Sequence, residues 1–145
     1  MNKLLVIDGL KIDNFRGLND LVIDDFSNVN IFVGANNSGK TSALEALKLL
    51  GSPDDMGQVV RLALQRAQVS PEARKKNLVN YILSIFQKVT DEEDQQSYYH
   101  IKLSVNVKGR YHAYEADGTI AEVVDSTGST KKALDVARKT SVDNG

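Results

Sequence analysis

Eight residues near the start of the sequence have the types and spacing of a phosphate-binding loop. Two glycines frame four short residues, and a lysine and a threonine follow directly, in the order Gly34-Ala35-Asn36-Asn37-Ser38-Gly39-Lys40-Thr41. Glycines let such a loop turn its N–H groups inward around a phosphate. In this motif the lysine serves the β- and γ-phosphates of a nucleoside triphosphate, and the threonine hydroxyl binds magnesium. The sequence therefore predicts a P-loop that binds ATP with Mg²⁺.

Roles within this loop follow from the same chemistry. Lys40 is the predicted catalytic cation, Thr41 is the predicted metal ligand, and all eight residues together with Ser42 are predicted to contact the nucleotide. The flanks support this interpretation, because an apolar run, Val29–Val33, precedes the loop and an apolar-faced helical pattern, Thr41–Leu50, follows it. We expect the run to be a strand buried on both faces and the helix to point its positive N-terminal end at the phosphates.

The rest of the chain provides the elements that position this loop. Alternating apolar residues predict early strands, helical periodicity predicts three helices, and a later alternating stretch predicts antiparallel arms. The predicted strands are 10–14 (reaching back to Leu4), 21–24 and 29–33; the helices are 41–50, 59–68 and 71–88; the arms are 99–107, 111–115 and 119–124. Lys108-Gly109 and Asp117-Gly118 are predicted hairpin turns. Beyond Asp125 the pattern fades, and Lys131–Lys139 is a candidate short basic helix.

Composition places the chain among ordinary globular proteins. Its 145 residues are 41% apolar and 26% charged, its formal net charge is −1, and it has no cysteine. The near-neutral charge predicts no general attraction to nucleic acid. The absence of cysteine excludes disulfides and cysteine-based zinc sites. No apolar run is long enough for a membrane span, so we expect a cytoplasmic protein with no membrane partner.

Two features in combination resemble a known class of ATPase. The opening Asn14-Phe15-Arg16-Gly17, a second short strand and then the P-loop segment up to Leu50 are similar to the ABC-type ATPase heads of the RecF and SMC-like class, and most of all to the AAA proteins of the OLD-nuclease type. The resemblance covers about the first fifty residues. It implies an α/β P-loop NTPase fold in which an antiparallel β segment lies beside the P-loop and its helix.

The resemblance also implies site residues and partners. Asn36 would face the γ-phosphate and Arg16 would lie near the nucleotide. In the complete protein, a second head would enclose ATP, and hydrolysis would drive DNA processing, repair or phage defence. Such heads also need a Walker B strand ending in Asp-Glu and an ABC signature, and neither motif occurs in this sequence.

The chain is therefore interpreted as one partial ATPase domain, 1–145, inactive in hydrolysis alone. Its parts are 1–52 with the P-loop, a helical segment 53–90, an antiparallel segment 98–125 and a tail 126–145.

Two other classes of function remain open. One is a self-contained GTPase or small P-loop kinase, since Asp125-Ser126-Thr127-Gly128 matches the D-x-x-G of GTPases, although a turn explains it as well. The other is a non-enzymatic interaction module in which the P-loop only orders the fold. His100 and His112 could face each other across the predicted hairpin, and Gln87 could imitate the magnesium-binding glutamine of ABC proteins. We interpret both histidines as sheet residues and Gln87 as the end of a helix.

Overall fold

The structure is a computed structural model that describes residues 7–67, 70–93, 95 and 97–144, without the side chains of 73–77 and 144. Across these ranges no helix combines the length and apolar character that crossing a membrane requires. The residues from Leu4 that were predicted to begin the first strand lie outside the described ranges.

One antiparallel sheet of six strands forms the base of the fold. Its strands are β1 (Gly9–Phe15), β2 (Leu18–Ile23), β3 (Gln87–Thr90), β4 (Ser97–Val107), β5 (Arg110–Val124) and β6 (Thr130–Asn144). They lie in the order β2-β1-β4-β5-β6, and the short β3 pairs with the beginning of β4. Every pairing is antiparallel. The first two strands are therefore part of the same sheet as the later hairpins.

Three helices cover one face of this sheet. They are α1 (Lys40–Leu50), α2 (Met56–Gln65) and α3 (Pro71–Leu83). The strands alternate, so that Ile101 and Leu103 of β4 and Tyr114 and Ala116 of β5 face the helices and are buried. The same core contains Ala43, Ala46 and Leu49 of α1 and Val59, Leu62 and Ala63 of α2. Burial of this apolar surface holds α1, and with it the end of the P-loop, against the sheet.

Two predictions for the end of the chain are wrong: the turn at Asp117-Gly118 and the helix at Lys131–Lys139. Asp117-Gly118 does not turn the chain, because β5 continues through both residues to Val124. The segment Lys131–Lys139 is not a helix, since it lies in β6 and pairs with β5 along its whole length. A Cβ on Gly118 would meet Leu134 Cδ1 at 3.3 Å, so this glycine permits close packing within the sheet instead of a turn. The predicted tail, 126–145, thus contains the longest pairing in the fold.

The predicted buried strand before the P-loop is also wrong for the described chain. The segment Val29–Val33 forms no strand, and its alternate side chains Val29, Ile31 and Val33 are 78%, 82% and 88% exposed. A strand buried on both faces needs neighbours on its edges, and none of the described strands pairs with this segment. Phe32, on the opposite side, is half-buried and meets Phe26 with ring centroids 6.4 Å apart.

The helix boundaries follow the expected signals more closely. The predicted start at Pro71 is confirmed, as proline favours the first helical position. The helix ends at Leu83 instead of near Lys88, because Ile85 and Phe86 turn the chain and insert their side chains into the core. Gln87 therefore begins β3 and does not end a helix.

Candidate nucleotide-binding site

The P-loop connects the exposed segment Val29–Val33 to the first turn of α1. Gly39 is the residue before the helix, and its φ of 88° lies in the left-handed region that favours glycine. The Ala43 N–H donates to the Gly39 carbonyl oxygen at 2.9 Å, which closes the first helical turn. The N–H groups of a first helical turn have no partner within the helix, and these are the donors that an anion at a helix start uses.

Both glycines of the motif lie close to neighbouring side chains. A Cβ on Gly39 would lie 2.5 Å from Leu18 Cδ2 on β2, and a Cβ on Gly34 would lie 2.9 Å from Ser38 Oγ. Asn37 also has a positive φ, 63°. The loop is therefore wound closely on itself and against the turn that joins β1 to β2.

The Lys40 ammonium group lies within the loop. Its Nζ donates hydrogen bonds to the carbonyl oxygens of Gly34 at 2.7 Å and Ala35 at 2.5 Å, and to Ser38 Oγ at 3.2 Å. The lysine thus spans from the end of the loop back to its beginning. In this position its positive charge is held over the cradle in which the motif places the β- and γ-phosphates.

A polar cavity of about 610 Å³ opens beside the loop. Most of its lining comes from the predicted site and from the turn after β1, namely Arg16, Gly17, Leu18, Asn37, Ser38, Gly39, Lys40, Thr41, Ser42, Arg66 and Ser84. Gly34, Ala35 and Asn36 are exposed at the start of the loop and lie outside this lining. The volume falls within the range of small-molecule sites, roughly 300–1,000 Å³.

Arg16 lies at the cavity but its guanidinium is engaged below the surface. Its Nε is 2.7 Å from Glu45 Oε2, and both side chains are almost fully buried. Its Nη2 donates to the Leu62 carbonyl oxygen at 2.9 Å. Burial lowers the pKa of Arg16 below its ordinary value, and the neighbouring Glu45 carboxylate opposes that shift. Arg16 therefore joins the β1–β2 turn to α1 and α2.

Four cavity residues were absent from the sequence-based site: Gly17 and Leu18 beside Arg16, and Arg66 and Ser84 from later in the chain. Arg66, just after α2, lies with Nη2 3.0 Å from Glu45 Oε2 and donates from Nε to Oε1 at 3.1 Å. Ser84 follows α3 and lines the same cavity. A motif search cannot find Arg66 or Ser84, because they follow α2 and α3 and are distant in sequence from the P-loop. The one available signal was an acidic residue, Glu45, on the otherwise apolar face of α1.

Other candidate groups lie elsewhere in the fold. His100 and His112 do not face each other, because His100 is paired with Asp117 and His112 with Val105. His100 Nδ1 is 2.6 Å from Asp117 Oδ1. Asp125 lies in the β5–β6 turn, where its Oδ1 accepts from the N–H groups of Thr127 and Ser129. Within the described ranges no three or more His, Asp or Glu side chains form a cluster suited to a metal ion.

Comparison with known proteins gives a family and several relatives. A family model described as an AAA ATPase domain matches residues 6–141. The chain is 48% identical over 46 residues to the DNA replication and repair protein RecF of Lactobacillus acidophilus, which is 32% of this chain and 12% of that protein. It is 50% identical over 48 residues to RecF of Nitrosococcus oceani, 33% of this chain and 13% of that protein.

A third relative is an uncharacterized protein of Methanocaldococcus jannaschii, 43% identical over 44 residues, 30% of this chain and 20% of that protein. The matched stretches thus span about an eighth to a fifth of the length of these relatives. No solved structure gives a significant match.

Proposed function

The chain belongs to the AAA ATPase domain family, and from this membership we propose that it binds ATP with Mg²⁺ through Gly34–Thr41 as part of a RecF-like ATPase head. The observation that carries the proposal is the close-wound loop at the start of α1, in which Gly39 has a φ of 88° and Lys40 spans the cradle. A backbone of this shape presents N–H groups and a cation to one anion.

Lys40, Thr41 and Arg16 have separate roles in this proposal. The Lys40 ammonium exchanges its carbonyl partners, Gly34 and Ala35, for phosphate oxygens when the nucleotide enters. Thr41, on the cavity wall, is the residue whose hydroxyl would hold magnesium. A magnesium ion held there would supply positive charge beside the phosphates during transfer. Arg16, held by Glu45, fixes α1 beneath the loop.

The remainder of an ATPase head is the partner that best suits the segment before the loop. The side chains of Val29, Ile31 and Val33 are apolar and exposed, and they alternate along the segment. This is the pattern of a strand with an apolar face that none of the described elements covers. We propose that strands from the rest of the head cover this segment and supply the acidic residue that activates water. On this proposal the 145-residue chain by itself hydrolyses ATP negligibly.

The biological setting is a further part of the proposal. Two of the relatives carry the name DNA replication and repair protein RecF. We therefore propose that two heads enclose ATP in the complete protein and that hydrolysis is coupled to DNA processing, with repair or OLD-type phage defence as the candidate pathways.

Nucleotide titration of the purified chain tests the binding proposal. Lys40→Ala should abolish binding of a fluorescent ATP analogue, because the motif's only lysine near the phosphates is removed. Lys48→Ala is the matched control, since Lys48 is exposed in the last turn of the same helix and should leave binding unchanged. Retained ATP binding in the Lys40 variant would contradict the proposal.

Competition with unlabelled nucleotides in the same assay separates the alternatives. Preferential displacement by GTP would favour a GTPase. Absence of nucleotide binding in the wild-type chain would favour an interaction module.

A further inference from the structure

Arg66 is a second cation at the P-loop that the motif does not include. Its guanidinium contacts Glu45 at 3.0 and 3.1 Å, and Nη2 donates to Ser42 Oγ at 3.3 Å. Its side chain is 44% exposed, in contrast to the 8% of Arg16, and it lines the same cavity as the loop. Arg66 is thus fixed by α1 and open to the cavity.

The cluster of Glu45, Arg16 and Arg66 contains more positive than negative charge. One buried carboxylate lies between two guanidinium groups, so the cluster carries a net positive charge. Arg16 is buried and also bonded to the Leu62 carbonyl oxygen. Arg66 uses Nε and Nη2, and no hydrogen bond to another described residue uses its Nη1. The surplus charge and an available donor therefore lie on the exposed arginine.

The charged groups of Lys40 and Arg66 contact different parts of the loop. Lys40 Nζ bonds the carbonyl groups of Gly34 and Ala35 at its beginning, whereas Arg66 bonds Ser42, the residue after its last motif position. The motif assigns Lys40 to the β- and γ-phosphates. The backbone N–H groups of the motif cradle the α- and β-phosphates, so a cation bonded to Ser42 at the start of α1 is placed to reach these two.

We propose that Arg66 binds the nucleotide at its α- or β-phosphate, and that Glu45 is the positioning residue that holds Arg66 for this contact. The proposal rests on the proposed function, because it needs a nucleotide in the P-loop. With Nε and Nη2 held by Glu45 and Ser42, the N–H groups of Nη1 remain to donate charge-assisted hydrogen bonds to the phosphate. Since ATP and ADP share both of these phosphates, Arg66 contributes equally to the binding of both nucleotides.

Calorimetric titration of the described chain with ATP and with ADP tests this assignment. Arg66→Ala should weaken both by a similar factor, on the order of tenfold or more, which is the usual loss for a charge-assisted hydrogen bond. Arg66→Lys should restore only part of the affinity, because an ammonium group cannot pair with Glu45 through two nitrogens and also donate to the phosphate from a third. Arg61→Ala is the matched control: Arg61 is an exposed arginine on α2, paired with Asp55 away from the cavity.

Each other outcome has a defined meaning, provided that the melting temperatures of the variants match wild type. Unchanged ATP and ADP affinity in Arg66→Ala, with binding lost in Lys40→Ala, would overturn the assignment and leave the proposed function standing. A loss for ATP alone would place Arg66 at the terminal phosphate and overturn it as well. Absence of nucleotide binding in the wild-type chain would overturn both.

Discussion

At the scale of residues, the site is a P-loop supported by a buried ion cluster. The loop sequence places Lys40 and Thr41 by local geometry, but the orientation of α1 under them depends on Glu45, Arg16 and Arg66. Removing one partner of a buried pair leaves a charge without compensation, which is more costly than losing an exposed pair. The cluster therefore links the stability of the fold to the position of the phosphate cradle.

Neutralising Glu45 tests this link. Glu45→Gln should lower the free energy of unfolding by about 3 kcal/mol, because Arg16 remains buried without its carboxylate. Glu115→Gln is the control, since Glu115 pairs with Lys102 at 3.4 Å on the partly exposed sheet surface and should cost at most about 1 kcal/mol. Urea denaturation at neutral pH measures both. Equal losses in the two variants would show that the buried cluster adds no special stability.

At the scale of elements, the sequence predicts the beginning of the chain better than its end. The turn at Arg16, the helix after the loop and the start of α3 at Pro71 follow from local signals that the structure retains. The recognition of a RecF-like ATPase domain, drawn from the first fifty residues, is confirmed by the family match and by the RecF relatives. The likeness to OLD-type proteins stays a prediction.

The errors at the other end have a physical cause. Asp117-Gly118 and Lys131–Lys139 have turn and helix propensity, but each is overridden by fifteen residues of pairing between β5 and β6. Leu134 and Val136 pack partly against the core, but two alternating apolar residues are too short a pattern to predict a strand. Long-range pairing of this kind is not encoded in any short window, and the same holds for the approach of Arg66 to the P-loop.

The β5–β6 turn has an acidic residue whose titration can be followed. Hydrogen bonds from Thr127, Lys131 and Ser129 lower the pKa of Asp125 from 3.8 to about 2. A lowered pKa means that the stabilisation is present above pH 3.8 and is lost as the pH falls toward 2. Asp125→Asn should therefore be less stable than wild type at pH 5, and the difference should shrink between pH 4 and pH 2.

Two measurements check that expectation. Carbon NMR of the carboxyl group gives the midpoint of the Asp125 titration, and thermal unfolding across the same pH range gives the difference between the two proteins. Asp54→Asn provides a comparison on an acidic residue outside this turn. A midpoint near 4 for Asp125, or a difference that does not change with pH, would be inconsistent with the turn geometry.

At the scale of the whole molecule, the domain has a continuous core and one segment whose apolar side chains are exposed. The six-stranded sheet and its helices enclose a continuous core. The segment before the P-loop instead holds Val29, Ile31 and Val33 at 78–88% exposure. The matched stretches are about an eighth of the length of two RecF relatives, and on the proposed function other segments of the head cover this segment. The exposed row, Val29, Ile31 and Val33, directly precedes Gly34, the first residue of the P-loop. A segment that packed on this row would therefore also hold the beginning of the loop in place.

A charge placed on the exposed row distinguishes an interface from part of the core. Ile31→Lys should change the melting temperature of the described domain by no more than about 2 °C, because the side chain is 82% exposed and gives up little burial. Ile12→Lys is the contrasting variant, since Ile12 is fully buried in β1 and an unpaired charge there should prevent folding. Ile31→Lys should also reduce concentration-dependent association in sedimentation velocity, as an exposed apolar row favours contact between copies. A strongly lowered melting temperature in Ile31→Lys would mean that this segment packs within the domain and that no further part of the head is needed to cover it.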